Sequence, residues 1–129
     1  MPERPLSPHL TIYRMSRYTL LSSFANRLAG LAASAGLLLL TYWLSAAARG
    51  PGAYARARVL LASPAARLLY AALLLAVLYH LVAGIRHLIW DTGRGLERAQ
   101  SQRSAWAVAL VTVVLALVLG WALFFRGSP

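Results

Sequence analysis

Four side chains able to do ligand, acid–base or electrostatic chemistry fall within the last fourteen residues of one apolar run. In LYHLVAGIRHLIWD, residues 78 to 91, His80 sits well inside the run, and Arg86, His87 and Asp91 follow at its end. The run opens near Pro64, so on a helix His80 lies about 16 Å below the end at Asp91, which is interior membrane depth. A polar ring at that depth needs a partner, and an ionisable group inside a span is a functional candidate by default. Gly84 falls one turn from His80 on the same face, and His87 about two turns on. A glycine beside a histidine lets a broad, flat group approach the backbone, and imidazole is an axial ligand of haem iron. Two readings fit this spacing: a haem ligand, or a histidine hydrogen-bonded to a neighbouring helix with Gly84 as a packing residue. A haem with two imidazole ligands would need the second from another chain. His87 is about 10 Å further along the same helix, and His9 belongs to the N-terminal arm.

A second constellation opens the first apolar run. SSFANRLAG, residues 22 to 30, puts Ser23 and Arg27 one turn apart on one face, with Gly30 close by. A hydroxyl and a guanidinium just below the membrane surface suit a quinone carbonyl or a haem propionate. The plainer alternative has Arg27 snorkelling to lipid phosphates and Ser23 satisfying backbone. Asp91 would pair with Arg86 or Arg94, the ordinary role of a surface carboxylate, or else carry protons.

These residues need a membrane scaffold to hold them. Of the 129 residues 60% are hydrophobic, and mean hydropathy is +0.62, too apolar for a soluble domain and too short for more than one domain. The sequence predicts an all-α integral membrane protein. Its single anchor domain comprises an arm over 1–23 and spans over about 24–48, 64–90 and 105–125, each long enough to cross about 30 Å of hydrocarbon. Ser63 is placed to cap the second span and Pro64 to start it. RGPGAY (49–54) reads as a turn and TGRGLERAQSQRS (92–104) as a polar link. No cysteine is present, which excludes disulfides and thiolate-held metal from this chain.

The net charge is +10, and every one of the thirteen basic residues is arginine. The arginines flank the apolar runs, which suits bilayer edges rather than nucleic acid. With three spans, Arg4, Arg14, Arg17, Arg27, Arg86, Arg94, Arg98 and Arg103 share one side, and Arg49, Arg56, Arg58, Arg67 and Arg126 the other. That excess predicts the N-terminus inside. Arg17 and Arg27, a Leu-rich run and LSAAARG also resemble a signal peptide; the long stretch before the run weighs against cleavage.

The arm RPLSPHLTIYR (4–14), SSFANRLAG and HLVAGIRHLIWD together resemble the cytochrome b membrane-anchor subunits of succinate dehydrogenase, respiratory complex II. That family combines an arm of the form RPLSPHLxIY, a first span opening Ser-x-x-x-Arg-x-x-Gly, and a second span with His-x-x-x-Gly-x-Arg-His before an Asp. The resemblance covers the whole chain in architecture and implies a role. The family anchors a flavoprotein subunit and an iron–sulfur subunit together with a second small anchor subunit. It binds haem b in a helical bundle shared between the two anchors, and it serves ubiquinone reduction. By the matched motifs His80 would be this chain's axial ligand to the haem iron. Arg27 and His87 would lie near the propionates, and Ser23 and Arg27 would fall in the quinone pocket. Ser7, Pro8 and His9 would contact the soluble subunits. Some members carry histidine just before the pocket arginine; here it is Asn26, which can donate to a propionate but cannot titrate.

The implied mechanism passes electrons from succinate through the partners' cofactors to quinone at the membrane edge. Ser23 would bind a quinone carbonyl, and Arg27 would stabilise developing negative charge. The chain has no dinucleotide fingerprint and no equipment for oxidising succinate, so it is not an enzyme on its own. A haem-free quinone-binding anchor like those of some fumarate reductases, and a purely structural helical subunit, are the competing readings. Because Met1 stands almost directly before the arm motif, a bacterial cytoplasmic membrane is favoured over the mitochondrial inner membrane.

Overall fold

The computed structural model describes residues 17–124, and all of its regular structure is helical: α1 (Arg17–Ala48), α2 (Pro51–Leu61), α3 (Pro64–Asp91) and α4 (Arg98–Phe124). Leu20–Ala48, Pro64–Asp91 and Arg98–Ala122 are long and apolar enough to cross a membrane. α3 is central, packed against α1 on one side and α4 on the other, with α1 also touching α4. α1 and α3 run antiparallel: Gly30 faces His80, and six residues later Gly36 faces Leu73. The start of α1, the end of α3 and the start of α4 therefore share one end of the bundle.

The buried apolar residues are mostly small. Ala29, Ala46, Ala57, Ala83, Leu78 and Val108 are buried, whereas Leu38 and Leu68 are 74% and 75% exposed. Lipid tails are as apolar as leucine, so spanning helices gain by close backbone approach and not by hiding leucines.

Local chemistry sets the element ends. The Ser63 hydroxyl accepts from the Ala66 N–H at 3.2 Å and Pro64 opens α3, the cap read from sequence. Between α1 and α2, Gly50 turns the chain with φ +98°, a conformation glycine adopts at little cost. Three boundaries differ from the sequence expectation. RGPGAY is not a turn throughout: Pro51 starts α2, because the proline lacks only an N–H that a first helical turn leaves unused. The link between the last two spans shortens to residues 92–97, since the polar residues from Arg98 onward form the first turns of α4. Residues 17–23, assigned to the arm, are helical, and Leu20 and Leu21 extend the apolar run toward the N-terminus.

Candidate functional site

His80 leaves α3 toward α1 and rests on it. Its Nδ1 lies 2.9 Å from the Asn26 side-chain oxygen and 3.2 Å from the Asn26 backbone carbonyl oxygen. A β-carbon added at Gly30 would stand 3.0 Å from the ring's Cε1 and 3.3 Å from Nδ1. Asn26 and Gly30, one turn apart on α1, thus form a seat: the first holds one ring nitrogen, and the second leaves room for the ring. A carbonyl oxygen only accepts, so Nδ1 carries a proton, and in a neutral ring of that tautomer the lone pair is on Nε2. Nε2 has no hydrogen-bond partner among the described residues. The ring is exposed, and the Gly84 backbone one turn on faces open space, with nothing within 4 Å of an added β-carbon.

Of the two sequence readings of His80, the helix contact is present, and it leaves Nε2 without a partner among the described residues. The histidine does hydrogen-bond to a neighbouring helix, but through Nδ1 alone. The glycine that admits the ring is Gly30, across the helix contact, whereas Gly84 borders empty space. These residues fit an iron porphyrin: an imidazole held at Nδ1, an Nε2 without a partner among the described residues, and an unobstructed backbone beside it.

The other sequence-named residues distribute unevenly. Ser23 is half-buried and Arg27 exposed, and neither makes a hydrogen bond or ion pair among the described residues. His87 turns back on its own helix: Nδ1–H donates to the Ala83 carbonyl at 2.7 Å, and the ring stands edge-on to Trp90 at 5.1 Å. Asp91 is exposed, and no arginine pairs with it among the described residues. The expected pairing with Arg86 or Arg94 is not formed among the described residues: the Arg86 guanidinium points into the bundle while Asp91 ends the helix in the open. Ser7, Pro8 and His9 lie outside the described residues.

Arg86, named from the sequence only as a possible partner for Asp91, is a polar centre of the bundle. It is only 6% exposed. Nε donates to the Ser104 hydroxyl at 2.8 Å, and Nη2 donates to the Ser101 carbonyl at 2.8 Å and its hydroxyl at 3.2 Å. Nη1 reaches the Ser22 hydroxyl at 3.4 Å. The guanidinium carbon lies 4.0 Å over the Trp90 ring, and Trp90 Nε1–H donates to the Gly95 carbonyl at 3.0 Å, tying down the loop before α4. Charge-assisted hydrogen bonds to neutral oxygens and a cation–π contact hold this cation without a carboxylate. The signal available in the sequence was three serines, Ser22, Ser101 and Ser104, at the same end of the bundle as one intramembrane arginine.

At the opposite end, α1, α2 and α3 line an open, largely apolar groove of about 660 Å³, bordered in part by Gly36, Trp43, Arg58, Tyr70 and Leu73. None of the sequence-named site residues reaches it.

The arrangement is a three-span helical membrane protein with the His80 imidazole seated in a helix interface. The chain belongs to the succinate dehydrogenase/fumarate reductase transmembrane subunit family, which it matches over residues 1–119. It is 43% identical to the succinate dehydrogenase cytochrome b556 subunit of Paracoccus denitrificans, over 95% of this chain and 92% of that one. It is 40% identical to the mitochondrial cytochrome b560 subunit of Sus scrofa, over 86% of this chain and 66% of the pig protein. With the cytochrome b556 subunit of Rickettsia typhi it shares 32% identity over 91% of its length. As a member of this family it is a membrane-anchor subunit of an enzyme complex and does not oxidise succinate by itself.

Proposed function

We propose that the chain anchors a succinate:quinone oxidoreductase in the membrane, binds haem b through Nε2 of His80, and supplies part of the ubiquinone site through Ser23 and Arg27. The observation that carries this reading is the His80 imidazole held at Nδ1 by Asn26 with Nε2 free beside the open Gly84 face. One ligand from this chain would suit a haem shared with the second anchor subunit, which would supply the other protein ligand. When bound, haem b supplies one-electron chemistry between the partners' iron–sulfur centres and the membrane edge.

The chain's own residues do the rest. His80 offers a neutral nitrogen of fixed tautomer. Arg27, with no partner among the described residues, offers a guanidinium to a quinone oxygen or a propionate at the bundle end. Ser23 stands one turn away on the same face to donate to a quinone carbonyl. His87 uses Nδ1 on its own helix, leaving Nε2 for a propionate. Asp91, exposed and unpaired among the described residues, is placed to pass protons at the surface. The flavoprotein and iron–sulfur subunits dock at the arm, which includes Ser7, Pro8 and His9, and the second anchor subunit completes the haem-binding helical bundle. The chain is a single domain with its N-terminus inside, in a bacterial cytoplasmic membrane.

The test is gentle detergent purification of the tagged chain. The reading expects a flavoprotein and an iron–sulfur protein to co-purify, with a dithionite-reduced haem b band and quinone reduction driven by succinate. Arg27→Ala should raise the KM for quinone at least several-fold in complexes that retain haem. A complex that reduces quinone with no haem band would favour the haem-free anchor and remove His80 from the electron path.

A further inference from the structure

We propose that Asn26 is the positioning residue of the axial histidine, setting both the ring orientation and the donor strength of His80. This rests on the proposed ligand role of His80 and extends it to a position that no motif assigns to this task. Asn26 meets Nδ1 with two oxygens, the side-chain amide at 2.9 Å and its own backbone carbonyl at 3.2 Å. The backbone oxygen fixes the tautomer whatever side chain stands at 26. The amide oxygen is the shorter contact and the only one a substitution can alter. Gly30 completes the geometry, because its missing β-carbon allows the ring to lie against α1 where the amide can reach it.

The electronic consequence follows from hydrogen bonding to the far nitrogen of a ligating imidazole. A stronger acceptor at Nδ1–H gives the ring more imidazolate character, makes Nε2 a better donor, and stabilises ferric over ferrous iron. A neutral amide is an acceptor of middle strength and avoids placing a carboxylate inside a span, which is costly. The amide at position 26 would therefore hold the midpoint potential between two reachable extremes. Asn26→Leu, close in size, removes the amide oxygen and leaves only the longer backbone contact. Asn26→Asp offers a carboxylate at the same place.

The experiment is redox titration and low-spin ferric EPR of the intact complex carrying each variant, with haem content and subunit stoichiometry measured alongside. The expected result is a higher midpoint potential in Asn26→Leu, a lower one in Asn26→Asp, and a changed largest g value in Asn26→Leu as the ring plane rotates. Haem loss from an otherwise assembled Asn26→Leu complex would equally support a positioning role. Should the carboxylate prevent assembly, Asn26→Leu alone decides the matter. Unaltered potential and EPR in Asn26→Leu, with haem fully retained, would overturn the proposal. A His80→Leu complex measured in parallel separates the two ideas. If that complex keeps a wild-type haem spectrum, the ligand reading itself fails. If it loses haem while Asn26→Leu remains unshifted, only the role of Asn26 falls.

Discussion

At Gly30 a single missing methyl group decides whether His80 can sit where it does. An added β-carbon would come within 3.0 Å of Cε1, and real β-carbons essentially never tolerate closer approach, so even alanine presses on the ring. Gly30→Val adds two more carbons at that point and should push the imidazole off Asn26. The expected outcome is at least several-fold lower haem content per assembled complex, read from the pyridine haemochrome, with Gly30→Ala intermediate. Gly84→Ala should do less to the His80 ring itself, since nothing within this chain lies near its β-carbon position. The depth of His80 was legible from its distance to Asp91 along one uninterrupted apolar helix. Its partner was not, because the pairing with Asn26 depends on how far α1 slides along α3, and no periodicity within either helix records that register.

Between elements, Arg86 joins three helices: Ser22 of α1, its own α3, and Ser101 and Ser104 of α4. Arg86→Leu keeps much of the bulk, removes the charge and leaves the Ser101 and Ser104 oxygens short of a donor. Truncating one partner of a buried polar network costs about 1–3 kcal/mol for each group left unsatisfied. Partial re-pairing, such as the existing Ser104-to-Ser101 carbonyl bond, moderates this. Thermal denaturation of the purified complex should show a clearly lower Tm for Arg86→Leu and for Arg86→Lys, because an ammonium cannot reproduce the forked donors. An unchanged Tm in both would mean that the three helices hold their positions without this clamp. The three spans themselves were readable from apolar length, and Ser63–Pro64 marked the start of α3. The α2 helix was missed because Pro51-Gly52 suits a loop as well as a helix start, and only the tertiary contact that buries Ala57 against its neighbours distinguishes them. The serine cage was missed because its members come from separate helices and each serine alone is unremarkable.

For the whole molecule, the exposed leucine and valine faces place this chain among lipids and partner subunits. Aromatic pairs mark both ends of the bundle: Tyr18 with Trp106 at one and Trp43 with Tyr54 at the other, each with ring centroids 6.3 Å apart. This matches the preference of Tyr and Trp for membrane interfaces. Arginine distribution predicts which end faces inward, and the absence of native cysteine makes that measurable without background. Arg56→Cys should react with a membrane-impermeant maleimide in intact cells, and Gln102→Cys only after permeabilisation. The reverse pattern would invert the topology and move the proposed quinone end to the outer face. For orientation the sequence offers only a charge excess, because an isolated bundle has no inside.

The central claim is that Nε2 of His80 binds iron, and the reduced-minus-oxidised spectrum of a His80→Gly complex, recorded with and without added imidazole, tests it most directly. The account predicts a haem b band that is lost or displaced in the variant and recovers when free imidazole fills the vacated seat beside Gly30. A band of wild-type position and intensity without imidazole would contradict it.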